Sequence, residues 1–156
     1  MILIADSSAL VALAIVDKLE VLEKLFGEVY IPRAVYDEIS EDGKTGRDKL
    51  IQFSKDKIID ISLDININVA LGIGESEAII LYKEKNAEYF LCDDKKAKKF
   101  AKGFGINVIG SLGILLKSKE SNLIQEISPL IDMLRKSTIF IDEKVYQIVL
   151  EVANEV

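Results

Sequence analysis

Ile2-Leu3-Ile4-Ala5-Asp6-Ser7-Ser8-Ala9-Leu10 begins with four apolar residues, then an acid, two serines and a return to apolar residues. An unbroken apolar run of that length reads as a short strand buried on both faces, the kind found in parallel sheets covered by helices. Asp6-Ser7-Ser8 reads as the strand end passing into a helix cap, and Ala9 to Val16 has helical spacing. An acid that ends a buried strand is costly unless something partners its charge, so Asp6 is the first candidate functional residue.

The pattern repeats outward from this stretch. Leu19 to Phe26 is helical with Gly27 as a C-cap, Val29-Tyr30-Ile31 is a second strand, and Pro32 opens a helix carrying Val35 and Ile39 on one face. Ser40 to Arg47 is a loop, Asp48 to Ser54 a helix and Ile58 to Ile61 a small strand, while Asp64 to Asn68 has no clear pattern. Glu75 to Lys85 is a helix entered through Gly72 and Gly74, Tyr89 to Cys92 a strand, Lys95 to Lys102 a helix, and Ile106 to Ile109 the final strand. Helices then dominate, over Leu112 to Lys119, Ile124 to Arg135 and Asp142 to Asn154. Strands alternating with helices imply right-handed crossovers and a mainly parallel sheet covered on both faces. The expected fold is therefore a three-layer α/β/α sandwich. It forms one domain over residues 1 to 156, with a helical C-terminal portion from about residue 112. Apolar C-terminal residues such as Ile148 and Val152 are assigned to the core rather than to a dimer contact.

Composition narrows the chemistry. With 156 residues, 49% hydrophobic and 29% charged, the chain can bury a core and is neither disordered nor fibrous. It has no histidine and a single cysteine, Cys92, which excludes serine–histidine and cysteine–histidine catalysis and zinc sites of imidazole and thiolate. One thiol cannot form an internal disulfide, so a reducing compartment, the cytoplasm, is expected. The N-terminus lacks a basic region ahead of its apolar run, unlike a signal peptide, and no apolar run reaches the ~20 residues of a membrane span. A net charge of −6 disfavours nucleic-acid coating by bulk electrostatics, although bound divalent cations and local fields reduce that objection.

In open α/β sheets, ligands collect beyond the carboxyl ends of the strands. Asp6 falls there, as do Asp93 and Asp94, while Glu38 lies in the helix after the second strand and Glu75 and Glu77 lie in the first turn of a later helix. Carboxylates ~4 Å apart repel by about 4 kcal/mol per pair at an effective dielectric of 20. A cluster of them therefore calls for a counter-ion, and all-oxygen ligands suit Mg²⁺ or Mn²⁺, which can drive phosphodiester hydrolysis without histidine. Each acid also has a plainer reading. Glu38 can be an exposed helix residue and Glu75 a helix cap, and of Asp93 and Asp94 one is assigned to a ligand and the other to a cap. Ser7, Ser8 and Ser111 can hydrogen-bond an acid or a metal-bound water, or cap helices. The cluster Lys95, Lys96, Lys98, Lys99 and Lys102 is either a solvated helix face or a phosphate-steering surface, with Lys95, Lys96 and Lys99 the RNA-contact candidates. Gly72-Ile73-Gly74 lacks the third glycine and the preceding strand of a dinucleotide fingerprint.

Ile4-Ala5-Asp6-Ser7-Ser8-Ala9-Leu10, Ile31 to Ile39, Gly74-Glu75-Ser76-Glu77-Ala78-Ile79 and Leu91-Cys92-Asp93-Asp94 follow one another as they do in PIN domains. Gly110-Ser111-Leu112-Gly113 and the helical tail resemble a prokaryotic branch related to the VapC-type toxins. The resemblance implies an acidic metal site on Asp6, Glu38, Glu75 and Asp94, with Asp93 and Glu77 as alternates. It further implies Mg²⁺- or Mn²⁺-dependent endoribonuclease activity on RNA, a homodimer and an antitoxin partner. The third acid is commonly Asp in such toxins, whereas this chain has Glu75 or Glu77. The alternative is a non-catalytic PIN-like module that binds RNA or a protein partner. A haloacid-dehalogenase-like phosphatase needs an acid where Ser8 stands, and a receiver domain carries its acidic pair at the first strand, so neither matches.

Overall fold

The computed structural model describes residues 1–61 and 72–156, and the unpatterned Asp64 to Asn68 stretch lies outside them. The apolar opening forms β1 (Ile2–Ala5), and the turn at Asp6 leads directly into α1 (Ser7–Ile15). There follow α2 (Val21–Phe26), β2 (Glu28–Pro32), α3 (Arg33–Ile39), α4 (Arg47–Ser54) and β3 (Ile58–Ile59). After the undescribed segment come α5 (Ile73–Glu84), β4 (Tyr89–Leu91), α6 (Lys95–Gly103), β5 (Val108–Ile109), α7 (Ser111–Glu120), α8 (Ser128–Lys136) and α9 (Glu143–Val152).

Among the described residues the sheet has five strands in the order β3-β2-β1-β4-β5, every pairing parallel. Alternation along β1 divides the core. Leu3 and Ala5 point into a cluster with α1, α2, α3 and the C-terminal helices, whereas Ile4 points to the opposite face, under α5 and α6. The expected three-layer α/β/α arrangement with a parallel sheet is the one observed.

Because the chain runs outward from β1 to β3 on one side and resumes at β4 on the other, the strand order reverses beside β1. Crevices at such switch points are where open α/β sheets bind ligands. In register, Ala5 pairs with Leu91, and the Asp6 N–H donates to the Leu91 carbonyl at 2.9 Å. The residues just past β1 and β4, Asp6 and Cys92, are thereby neighbours.

Three expectations are corrected. The helix expected from Ile124 begins at Ser128, because Pro129 has no N–H to bond a carbonyl one turn back and so is accommodated only in a helix's first turn. Pro32 ends β2 and precedes α3 rather than sitting inside its first turn. Ile148 and Val152, assigned to the core, are 57% and 58% exposed. The helix α9 carries two apolar stripes and buries the one formed by Val149, Leu150 and Ala153, leaving the other to solvent.

Candidate active site at the carboxyl edge of the sheet

Asp6 is the N-cap residue of α1, yet its carboxylate makes no capping bond across the first turn. The residue is 1% exposed, and its Oδ1 has no hydrogen-bond partner among the described residues. On the other oxygen, the buried Cys92 thiol donates to Oδ2 at 3.5 Å. Burial pushes the Asp6 carboxyl up to about 7, against the opposing pull of the Ser7 backbone N–H and the Cys92 thiol, and the charges of Glu75 and Glu38 push the same way as burial. Cys92 is held well above the usual thiol range by burial and by the charge of Asp6, against the opposing pull of the Asp94 backbone, so it serves as a neutral donor rather than a thiolate. Asp6 thus senses Glu38 and Glu75 on one side and shares Cys92 with Asp94 on the other.

Glu38 is exposed on α3 and Glu75 half-buried on α5, and together they line a cleft with Arg33, Gly72 and Gly74. Small residues allow the two helices to approach. A Cβ on Gly74 would stand 3.3 Å from Val35 Cγ2 and 3.6 Å from Glu38 Oε2, and one on Gly72 would collide with the Glu75 carboxylate. Glu75 lies in the first turn of α5, where the helix N-terminus favours a negative charge. Glu77 is buried, and its Oε1 accepts from the Ala34 N–H at 3.1 Å, where it ties α5 to the first turn of α3.

The two aspartates after β4 separate cleanly. Asp94 caps α6, its Oδ1 accepting from the Ala97 N–H at 2.8 Å. Asp93 is gripped by Ser111, whose N–H donates to Oδ1 at 2.7 Å and whose hydroxyl donates to Oδ2 at 2.6 Å. Ser8 accepts from the Asp93 N–H at 3.3 Å and so links the β1 exit to the β4 exit, while Ser7 lines a groove with Ser8 and Glu38. Both serines stand inside the first turn of α1, whose N-cap is Asp6.

No ion pair among the described residues involves Asp6, Glu38, Glu75, Glu77, Asp93 or Asp94. The same is true of all five lysines of α6: Lys95, Lys96, Lys98, Lys99 and Lys102. Nor do any three acid or thiol side chains among the described residues stand gathered closely enough to hold an ion as they are. The structure therefore brings Asp6, Glu38 and Glu75 within electrostatic reach of one another and places Asp94 beside Cys92. Asp93 and Glu77 are spent on backbone and hydroxyl donors.

Several residues at this edge were not singled out from sequence. Cys92 was legible as the neighbour of Asp6 once the β1–β4 register was known. Lys44 and Ile139 line the groove with Ser7, Ser8 and Glu38, and Ile139 arrives from the link between α8 and α9, far along the chain. No helix among the described residues is long and apolar enough to cross a membrane.

Comparison with known proteins agrees with this architecture. The sequence model of the family described as "DUF3368: PIN domain" matches residues 2–155. A solved structure, a PilT N-terminus domain protein from the hyperthermophilic archaeon Sulfolobus solfataricus P2, is similar in fold, with a TM-score of 0.56 and 22% identity over 76% of this chain and 93% of the other. No functionally curated protein matches the sequence significantly. On the family match across almost its whole length, the chain belongs to the PIN domain family, whose members are generally nucleases.

Proposed function

We propose that the protein is a metal-dependent endoribonuclease that hydrolyses RNA phosphodiester bonds at the carboxyl edge of the sheet. One observation carries the reading. Among the described residues, the buried Asp6 has an oxygen with no partner, the charges of Glu38 and Glu75 bear on it, and no lysine or arginine pairs with any of the three. Such a group is tolerable as a carboxylate only with an external cation.

The donors fit a hard ion. They are carboxylate oxygens with no imidazole in the chain, and the only thiol is held neutral, a set that suits Mg²⁺ or Mn²⁺ and disfavours zinc. Asp6, Glu38, Glu75 and the uncommitted oxygen of Asp94 would hold it. Bound there, the ion would supply Lewis-acid polarisation of a phosphodiester and a nucleophile at neutral pH. The chain's own residues do the rest. Ser111 fixes Asp93 and, through Ser8, the spacing of the two strand exits, while Lys95, Lys96 and Lys99 offer phosphate contacts on α6. The test is cleavage of single-stranded RNA by the purified chain with Mg²⁺ or Mn²⁺, its loss in EDTA, and its loss in Asp6→Asn. Cutting that persists in chelator rules the mechanism out.

A second reading, a PIN module that binds RNA or a protein without cutting, is favoured by the absence, among the described residues, of any three acids already gathered, and by the capping duty of Asp94. It requires Asp6→Asn to leave RNA integrity unchanged and RNA binding intact. Resemblance to VapC-type toxins supports an antitoxin partner, testable by co-purification with the product of a neighbouring small reading frame. The exposed stripe Val145, Ile148 and Val152 on α9 supports a homodimer, testable by sedimentation.

A further inference from the structure

The link between α8 and α9 holds Ile139 and Ile141 half-buried against the main core, and Phe140 between them is 88% exposed. That side chain borders a groove of about 320 Å³, in the size range of small-ligand sites of roughly 300–1,000 Å³. Leu112, Ser111, Asp93, Lys95 and Lys98 also line it. The Lys98 ammonium reaches the α7 entrance, 3.5 Å from where a Cβ on Gly110 would sit. The charges in the groove are not equivalent. Asp93 is held by Ser111 and Asp142 caps α9 by accepting from the Lys144 N–H at 2.7 Å, whereas Lys95 and Lys98 form no ion pair among the described residues. Ile139 also lines a second groove, with Ser7, Ser8 and Glu38, so the two grooves meet at this residue.

An exposed aromatic face flanked by cations unpaired among the described residues, beside the groove that Glu38 lines, matches the needs of a single-stranded polynucleotide: a surface for a base to stack on and ammonium groups for its phosphates. We propose that Phe140 is the stacking platform for a nucleobase of the RNA next to the scissile bond, with Lys95 and Lys98 on the adjoining phosphates, and that this contact sets which nucleotide neighbours the cut. The proposal rests on the ribonuclease reading and adds to it a specificity-determining residue that the acids alone do not provide.

The test compares the wild type, Phe140→Ala, Phe140→Tyr and Lys98→Gln. It measures anisotropy-detected binding, in EDTA, of a single-stranded RNA octamer and of an abasic ribose-phosphate octamer, together with cleavage-site mapping in Mn²⁺. Phe140→Ala is expected to weaken RNA binding about 10-fold, to leave abasic binding unchanged and to blur the nucleotide preference at the cut, and Phe140→Tyr to restore all three. Lys98→Gln is expected to weaken both oligomers and to reduce the log–log salt slope by about 0.7. If the wild type binds and cuts RNA and Phe140→Ala does the same with unchanged preference, the platform is refuted while the nuclease reading stands. If the wild type neither binds nor cuts, both fall together. A change in self-association by Phe140→Ala with RNA behaviour intact would make the patch a protein contact and overturn the proposal.

Discussion

Replacing Asp6 with asparagine keeps the side-chain shape and removes a charge that has no cationic partner among the described residues, so its consequences for stability can be worked out with sign. The carboxyl is raised from 3.8 to about 7, with burial the main cause. The folded chain therefore holds this proton over a pH window in which the unfolded chain has released it. Stability from the neutral carboxyl is complete below about pH 4 and is lost as pH rises to about 7, on the order of 4 kcal/mol at ~1.4 kcal/mol per unit. In EDTA, urea unfolding of the wild type should show this decline relative to Asp6→Asn, and Mn²⁺ at pH 8 should recover it in the wild type only. Parallel pH profiles for the two proteins would mean that Asp6 is already compensated. From sequence, the position of Asp6 after an unbroken apolar run was enough to mark it. What the sequence could not settle was how Asp93 and Asp94 divide their work, because adjacent acids at a strand end differ only in where their side chains aim. Coordinates assign the cap to Asp94 and the grip of Ser111 to Asp93.

At the scale of elements, the turn between β5 and α7 is set by the close approach of Gly110 to Asp93. A Cβ there would lie 2.8 Å from Asp93 Oδ1 and displace the oxygen that the Ser111 N–H holds at 2.7 Å. Gly110→Ala is expected to cost about 1–3 kcal/mol in chemical denaturation by freeing a buried donor, and to impair cleavage as well. A variant with unchanged midpoint and activity would show that the Asp93–Ser111 pair is dispensable. The C-terminal helices have their own tie. Glu155 accepts from the Ile127 and Ser128 N–H groups ahead of α8 and pairs with Lys119 of α7 at 2.8 Å. Burial opposes its ionisation, but Lys119 and the two backbone donors prevail and hold it at about 2. Glu155→Ala should destabilise by about 1–2 kcal/mol, seen as faster hydrogen exchange in α8, and a silent variant would contradict the tie. These helices were the least legible part of the chain. Pro129 lies inside what periodicity extends back to Ile124, and α9 carries two apolar stripes between which only packing chooses. β1, β2, β4 and α5 were read closely, since short apolar runs between turn residues leave few alternatives, whereas β3 and β5 are each 2 residues long, shorter than expected.

For the whole molecule, the strand order β3-β2-β1-β4-β5 decides everything downstream. It puts the exits of β1 and β4 side by side at the reversal, with α3 and α5 packed together beside them. Acids separated by most of the chain come to one edge for that reason. The parallel direction of the strands followed from their alternation with helices, whereas neither their order nor the placement of Ile139 and Phe140 did, because a loop between two helices leaves no periodic trace of what it covers. Net charge of −6 says little about local character, since the lysines of α6, in no ion pair among the described residues, follow Asp93 and Asp94 directly. The most direct test is Mn²⁺ binding at neutral pH, followed by electron paramagnetic resonance of the free ion, for the wild type and Asp6→Asn. The expected result is saturable binding by the wild type that Asp6→Asn weakens at least 10-fold. Equal binding by the two proteins, or none by either, would contradict a metal site built on Asp6.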